Sequence, residues 1–161
     1  MSCCKNPVVE VIYLDPRYND PADLDFLKLA YATPDSAAMD LRAAIQEPLT
    51  VLAGQVLLVG TGVAVNMANP YMAAHILPRS GLGSKHGIVL GNLVGEIDAD
   101  YQGELKISVW NRSSVDYTIA VGERIAQIEF VPILRAVLNE VTEFSVRSER
   151  GDGGFGSSGR K

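Results

Sequence analysis

The sequence predicts an all-β protein, a barrel or sandwich with little helix. Short runs rich in β-branched and aromatic residues recur along the chain, and turns that contain glycine separate most of them. The chain has 161 residues, of which 47% are hydrophobic and 15 are glycine. This length suits one domain with a substantial core. The sequence contains no internal repeat.

The first half of the chain contains several segments that are predicted to be strands. Residues 7–14 are dense in β-branched side chains, and residues 71–77 form another apolar run. Residues 49–65 alternate apolar residues with glycines, which predicts two strands joined by tight turns. Residues 36–43 place one carboxylate among small and apolar residues, as in a strand with one acid facing water. Residues 17–31 are acidic and irregular, which indicates a loop over the surface.

A glycine-rich stretch, PRSGLGSKHGI at 78–88, follows the run at 71–77. Arginine, serine and glycine in succession, at the start of what could be one helical turn, are typical of an anion site. Backbone N–H groups at a helix start favour negative charge, and Arg79 adds a charged fork. The stretch lacks the Walker A spacing. A plain glycine-rich connector fits the same residues.

The stretch at 91–104 predicts an exposed β-hairpin with glycines at both ends. The carboxylates of Asp98 and Asp100 and the ring of Tyr101 come just after the turn. The N–H and C=O groups of a hairpin can read the edge of a flat heterocycle, and a tyrosine can supply an apolar face beside an ionised base. A surface hairpin with solvated acids fits the same pattern.

The second half contains a further series of predicted strands. Residues 105–111 alternate apolar and polar side chains, residues 115–121 and 125–131 follow with a turn between them, and residues 134–141 close the series. Gln127 lies among apolar neighbours, so its amide needs hydrogen-bond partners from the protein or from a ligand.

The composition changes at the C-terminus and divides the chain into a β domain, residues 1–149, and a glycine-rich flexible tail, residues 150–161. The tail contains an arginine, Arg150, one aromatic residue, Phe155, and serines. It fits a solvated end, or a lid whose aromatic ring covers a ligand while the arginine and serines bind phosphate.

Charge and cysteine content exclude several classes of function. The net charge is −5 and no long basic run occurs, so a nucleic-acid polymer is an unexpected partner. Placed cations, backbone amides and a metal ion can still hold an anionic small molecule. The only cysteines are Cys3 and Cys4, which excludes a zinc spacing and fits a reducing cytoplasm. Neither a signal peptide nor a membrane partner is expected.

Five short segments together resemble the motifs of the trimeric dUTP pyrophosphatase (dUTPase) family, particularly its bacterial form. In chain order they are AAMDLRA at 37–43, PRSGLGSKHGI at 78–88, GNLVGEIDADYQGE at 91–104, GERIAQ at 122–127 and RGDGGFGSSG at 150–159. One such motif would carry little weight, but five in order with compatible spacing are highly specific. The resemblance runs from residue 8 to residue 161.

The resemblance implies a jelly-roll-like β fold and a homotrimer with active sites at the subunit interfaces. It implies that dUTP and water give dUMP and diphosphate, with Mg²⁺ as the cofactor. The biological purpose that it implies is to keep uracil out of DNA and to supply dUMP for dTMP synthesis.

The matched residues carry implied roles. Asp98 resembles the family's general base, which deprotonates the water that attacks the α-phosphorus. Tyr101 would pack on the deoxyribose, and Asn92 with the nearby hairpin backbone would read uracil. Asp40 would help to position Mg²⁺ through water, while the triphosphate chelates the ion.

The other matched residues are implied to bind substrate. Those implied to contact the phosphates are Arg79, Ser80, Gly81 and Gln127. Those implied to belong to the closing tail are Arg150, Phe155, Ser157 and Ser158, with Phe155 stacked on uracil.

One departure from the family motifs and two alternative functions stay open. Ala38 stands where the first motif usually has glycine, and we expect only a local backbone adjustment. The related dCTP deaminases carry a catalytic glutamate on the strand after the hairpin. This chain reads Ile107-Ser108-Val109 there and has no acid, which argues against a deaminase. A non-catalytic dUTP-binding regulator would not need Asp98.

Overall fold

The structure, a computed structural model, describes residues 6–154, and nearly all of its regular elements are strands. They are β1 (Glu10–Tyr13), β2 (Met39–Arg42), β3 (Leu49–Val51), β4 (Val56–Asn66), β5 (Met72–Pro78), helix α1 (Ser80–His86), β6 (Ile88–Leu90), β7 (Gly95–Ile97), β8 (Glu104–Asn111), β9 (Tyr117–Ile119) and β10 (Arg124–Pro132). A 3-10 helix spans Pro16–Asn19. The predicted all-β class with little helix is confirmed. Within the described range, no helix is both long enough and apolar enough to span a membrane.

The strands pair in antiparallel fashion into two four-stranded sheets and one two-stranded ribbon. The first sheet has the order β1-β4-β8-β6, the second has the order β2-β10-β5-β7, and β3 pairs with β9. From β4 to β8 the chain enters the two sheets alternately. This alternation gives the jelly-roll-like sandwich that the resemblance implies.

The core is one apolar cluster with side chains from both sheets. Strand β8 shows how the sequence builds it, since Leu105, Ile107 and Val109 are buried while the residues between them are more exposed. Ile128 of β10 contributes from the other sheet. Full burial of one such side chain contributes about 1.5–3 kcal/mol to the hydrophobic free energy of folding.

The segment at 17–31 is attached to the core more firmly than a surface loop would be. Tyr18 and Phe26 are buried and their rings meet edge to face. The Tyr18 hydroxyl donates to the carbonyl oxygen of Thr61 at 2.8 Å, and burial raises the pKa of Tyr18 to about 12. The guanidinium of Arg17 lies 4.0 Å from the centre of the Phe26 ring.

The predicted hairpin at 91–104 is wrong in its strand pairing. Strand β6, before the turn, pairs with β8, whereas β7, after the turn, pairs with β5 of the other sheet. The turn at 91–94 therefore crosses between sheets. Leu93 at its tip has a φ of +65°, which is uncommon for a residue with a side chain.

The strand predicted at 134–141 is also wrong, since that stretch has no regular structure. Leu134, Val137 and Leu138 are more than 90% exposed. A strand must satisfy its backbone N–H and C=O groups on a neighbouring strand. No strand in the part of the chain that the structure describes pairs with this segment.

Candidate functional site

The first group of predicted site residues lies where three neighbouring strands of the second sheet meet helix α1. In the β2-β10-β5 register, Gln127 pairs with Asp40 on one side and with Leu77 on the other. These residues line a cavity of about 320 Å³. The Gln127 amide donates to the carbonyl oxygen of Pro78 at 3.3 Å, which leaves its own oxygen for a ligand or water.

Arg79 connects this cavity to the glycine-rich stretch. It follows the last residue of β5 and occupies the N-cap position of α1, so Ser80 and Gly81 form the first turn of the helix. Its carbonyl oxygen accepts from the backbone N–H of Gly83 at 2.9 Å. Helix α1 ends at His86 and is capped by Gly87, whose φ of +70° suits glycine. The predicted helical turn is confirmed.

Asp40 is held by two arginines. Its Oδ1 accepts from Arg79 Nε at 2.8 Å, and its Oδ2 accepts from Arg124 Nη1 at 3.0 Å. Asp40 and Arg79 are each about one quarter exposed, and Arg124 is about half exposed. Arg124 was not predicted as a site residue, although it lies in the segment GERIAQ, because only the glutamine of that segment was assigned a role.

The second group of predicted site residues surrounds the turn after β7. Asp98 follows β7 directly, and its carbonyl oxygen accepts from the N–H of Tyr101 at 3.1 Å. The Tyr101 hydroxyl donates to the carbonyl oxygen of Glu104 at 3.0 Å. Asp98 and Asp100 line a cavity of about 520 Å³, which Arg135 also lines.

Asn92 lies at the exposed turn between the two sheets. Its carbonyl oxygen accepts from the N–H of Val94 at 2.8 Å, which makes a very tight turn around Leu93. Gly95 allows close packing at the base of this turn, since an added Cβ would lie 3.0 Å from the Cβ of Ile76.

In the part of the chain that the structure describes, residues of the two groups line different cavities. Asp40 and Gln127 line one cavity, and Asp98 lines another. Arg150 is exposed and donates from Nε to the carbonyl oxygen of Gly153 at 2.8 Å. The predicted tail residues Phe155, Ser157 and Ser158 lie outside the described residues.

The arrangement around Asp40 limits how a metal ion could bind. Among residues 6–154, no three Asp, Glu, His or Cys side chains are grouped so that they could hold a metal. Each carboxylate oxygen of Asp40 accepts one arginine hydrogen bond, which leaves lone pairs for a metal-bound water. These residues therefore fit an ion that arrives on a phosphate ligand and touches the protein through water.

Comparison with known proteins gives consistent results. A family model described as dUTPase matches residues 26–159. A curated protein of Shewanella denitrificans, named deoxyuridine 5′-triphosphate nucleotidohydrolase, is 56% identical over 96% of this chain and 98% of its own length. A protein of Legionella pneumophila with the same name is 55% identical over 95% of this chain and 97% of its own. The solved structure of Staphylococcus bacteriophage 80alpha dUTPase with dUPNHPP has a TM-score of 0.80 and 28% identity, over 94% of this chain and 98% of that one.

Proposed function

The chain belongs to the dUTPase family, and from this premise we propose that it hydrolyses dUTP to dUMP and diphosphate. The observation that carries the proposal is the match, over nearly the whole chain, to relatives named deoxyuridine 5′-triphosphate nucleotidohydrolase. The five motifs found in the sequence agree with it. In the cell the reaction would lower dUTP, keep uracil out of DNA and supply dUMP for dTMP synthesis.

Asp98 acts as the general base in this proposal. Its carboxylate can accept the proton of a bound water. The water oxygen then bonds to the α-phosphorus, and the bond from that phosphorus to the oxygen bridging it to the β-phosphorus breaks. The electron pair leaves with diphosphate. Asp98 releases the proton to solvent and is restored.

Phosphate binding is assigned to the region where α1 begins. Arg79 supplies a cationic fork, Ser80 and Gly81 supply a hydroxyl and backbone N–H groups, and Gln127 supplies an amide beside them. The helix is short, so the arginine provides most of the positive charge. The closing segment from Arg150 onward would add further contacts once substrate is present.

Base and sugar selection are assigned to the turns before and after β7. The backbone around Asn92 would pair with the edge of uracil, crowd a 5-methyl group and mismatch the donor pattern of cytosine. Tyr101 would pack on the deoxyribose and leave no room for a 2′-hydroxyl. Its ring is held in place by the hydrogen bond from its hydroxyl to Glu104.

Mg²⁺ would bind mainly to the triphosphate and reach the protein through a water on Asp40. When bound, the ion neutralises phosphate charge and fixes the phosphate geometry. The two arginines on Asp40 keep that carboxylate in one orientation for such a water.

We further propose that the active enzyme is a homotrimer, in which each site combines residues of different chains. The separation of the Asp98 cavity from the Asp40 cavity supports this assembly, because within residues 6–154 the proposed base lies in a different cavity from Asp40 and Gln127. The exposed apolar residues Leu134, Val137 and Leu138 also support it, because a partner could cover them.

The proposed reaction is tested by measuring diphosphate release with Mg²⁺ present and dUTP, dCTP, dTTP and UTP compared side by side. We expect release from dUTP alone. Equal release from UTP would contradict the role of Tyr101. Ammonia from dCTP would favour a deaminase, and binding of dUTP without release would favour a regulator.

A further inference from the structure

We propose that Arg124 is a positioning residue of the phosphate site, which acts through Asp40 to hold Arg79 in its binding orientation. The inference rests on the proposed function, because Arg79 is the residue assigned to phosphate. Arg124 lies at the start of β10, whereas Asp40 lies on β2 and Arg79 caps helix α1.

A bulge in β10 turns Arg124 toward Asp40. The β10–β2 register shifts between Arg124 and Ala126, and both Ile125 and Ala126 are buried although they are consecutive. In a regular strand, residues 124 and 126 would point to the same face. The extra residue instead places Arg124 on the face of Asp40, and bulges commonly re-aim a side chain near a site in this way.

The contacts make Asp40 a bridge between two cations. Arg124 Nη1 donates to Oδ2 at 3.0 Å, while Arg79 Nε donates to Oδ1 at 2.8 Å. Arg79 Nη1 also donates to the carbonyl oxygen of Arg124 at 3.3 Å. The side chain of Arg79 is thus attached to the Arg124 region by two routes, one through the carboxylate and one through the backbone.

The terminal nitrogen Nη2 of Arg79 is the group that remains for phosphate, because no hydrogen bond in the described part of the chain engages it. Its direction depends on the Asp40 carboxylate, whose terminal torsion is broad when nothing restrains it. Arg124 supplies the restraint on the second oxygen. Without it, Asp40 can rotate and Arg79 can follow.

The test is a double-mutant cycle between Arg124→Gln and Asp40→Asn, read as kcat and KM for dUTP. We expect each single change to lower kcat/KM about tenfold, as for a lost hydrogen bond to a charged group. The double variant should be no less active than Asp40→Asn alone, because in this proposal Arg124 acts only through Asp40. Additive losses, or no effect of Arg124→Gln, would overturn the proposal.

Two further variants and a binding measurement separate positioning from folding. Arg124→Lys keeps a donor that can reach Asp40, so it should recover part of the loss in kcat/KM. If Arg124→Gln does not fold, Arg124→Lys replaces it in the double-mutant cycle. The matched control is Arg112→Gln, which should leave kcat/KM unchanged. Arg112 is exposed, and among residues 6–154 its side chain makes one hydrogen bond, of 3.5 Å, to the carbonyl oxygen of Gly83.

Calorimetric titration of the full chain with inorganic triphosphate repeats the cycle without catalysis. We expect the same non-additive loss of affinity. If the parent protein fails to hydrolyse dUTP, the proposed function fails, while this titration still decides whether Arg124 and Asp40 act as one unit on a phosphate ligand.

Discussion

At the scale of single residues, two aspartates of the site differ in their surroundings. Asp40 accepts hydrogen bonds from two arginines, whereas the exposed carboxylate of Asp98 accepts none from the described residues. A carboxylate with unoccupied lone pairs can contact a water directly, whereas one that accepts from two guanidinium groups is restrained in its orientation. This difference agrees with the proposed roles, in which Asp98 is the base and Asp40 orients a metal-bound water.

Asp98→Asn tests the assignment of the base. The amide keeps the shape of the side chain but cannot accept the proton, so we expect kcat for dUTP to fall about 10²- to 10⁴-fold, with little change in dUTP affinity. Steady-state kinetics and titration with a non-hydrolysable analogue measure the two quantities. Asp100→Asn, two residues away in the same cavity, is the control and should retain most of the activity. A parent-like rate for Asp98→Asn would overturn the assignment.

At the scale of elements, strand β4 depends on a glycine within its length. Gly62 has a φ of +64°, and an added Cβ would lie 2.7 Å from the Cβ of Asp15 and 3.2 Å from that of Ala44. The β4–β8 register shifts at this point. Of the tight turns predicted within residues 49–65, the one at Gly62 is therefore a bend inside the long strand β4.

Gly62→Ala should lower the free energy of unfolding by about 2–4 kcal/mol, from left-handed strain together with overpacking. Gly54→Ala is the matched control, since its φ is +77° but nothing lies within 4 Å of an added Cβ. Strain alone should cost it about 1 kcal/mol. Urea unfolding at one protein concentration measures both, and equal losses would refute the packing argument.

The segment after β1 adds a pH dependence to stability. The side-chain hydrogen bond from Arg17 lowers the pKa of Asp15 below its usual value, although burial opposes the shift. Because the folded pKa lies below the unfolded one, the stabilisation is complete above about pH 4 and is lost as the pH falls through the folded pKa.

Asp15→Asn should therefore reduce the loss of stability on acidification below pH 4, and should destabilise the protein at neutral pH. Urea unfolding at several pH values gives the slope. Asp35→Asn, which removes an exposed carboxylate, is the control. An unchanged slope for Asp15→Asn would show that the Asp15–Arg17 pair does not contribute to acid unfolding.

At the scale of the whole molecule, the proposed trimer explains why one chain leaves its predicted site in two parts. If Asp98 and Arg79 of one site come from different chains, inactive variants can complement each other. Chains with Asp98→Asn mixed with chains with Arg79→Gln should regain activity, because about a third of the sites in trimers that contain both variants would be intact.

Co-expression of two tagged chains, followed by purification of mixed oligomers, measures this recovery. Each variant purified alone is the control and should stay nearly inactive. Sedimentation of the parent protein should give a trimer mass. A monomer that hydrolyses dUTP, or mixed oligomers without activity, would exclude the shared site.

Much of the fold could be predicted because local composition specifies it. The alternation in β8 and the glycine-rich start of α1 are properties of short segments, and the structure contains both. The prediction of a strand at 134–141 was wrong because the composition of a segment does not show whether a neighbouring strand is there to pair with it. The prediction of a hairpin at 91–104 was wrong because the sequence of a turn does not reveal that its two flanking strands enter different sheets.

Side-chain pattern and motif order are enough to predict the β class, the family and the residue types available for chemistry. Which of those residues meet depends on the tertiary structure. Asp40, Arg79 and Arg124 lie far apart in the sequence, and only strand register and the β10 bulge bring their side chains within hydrogen-bond distance. Such contacts depend on long-range pairing, which no local pattern encodes.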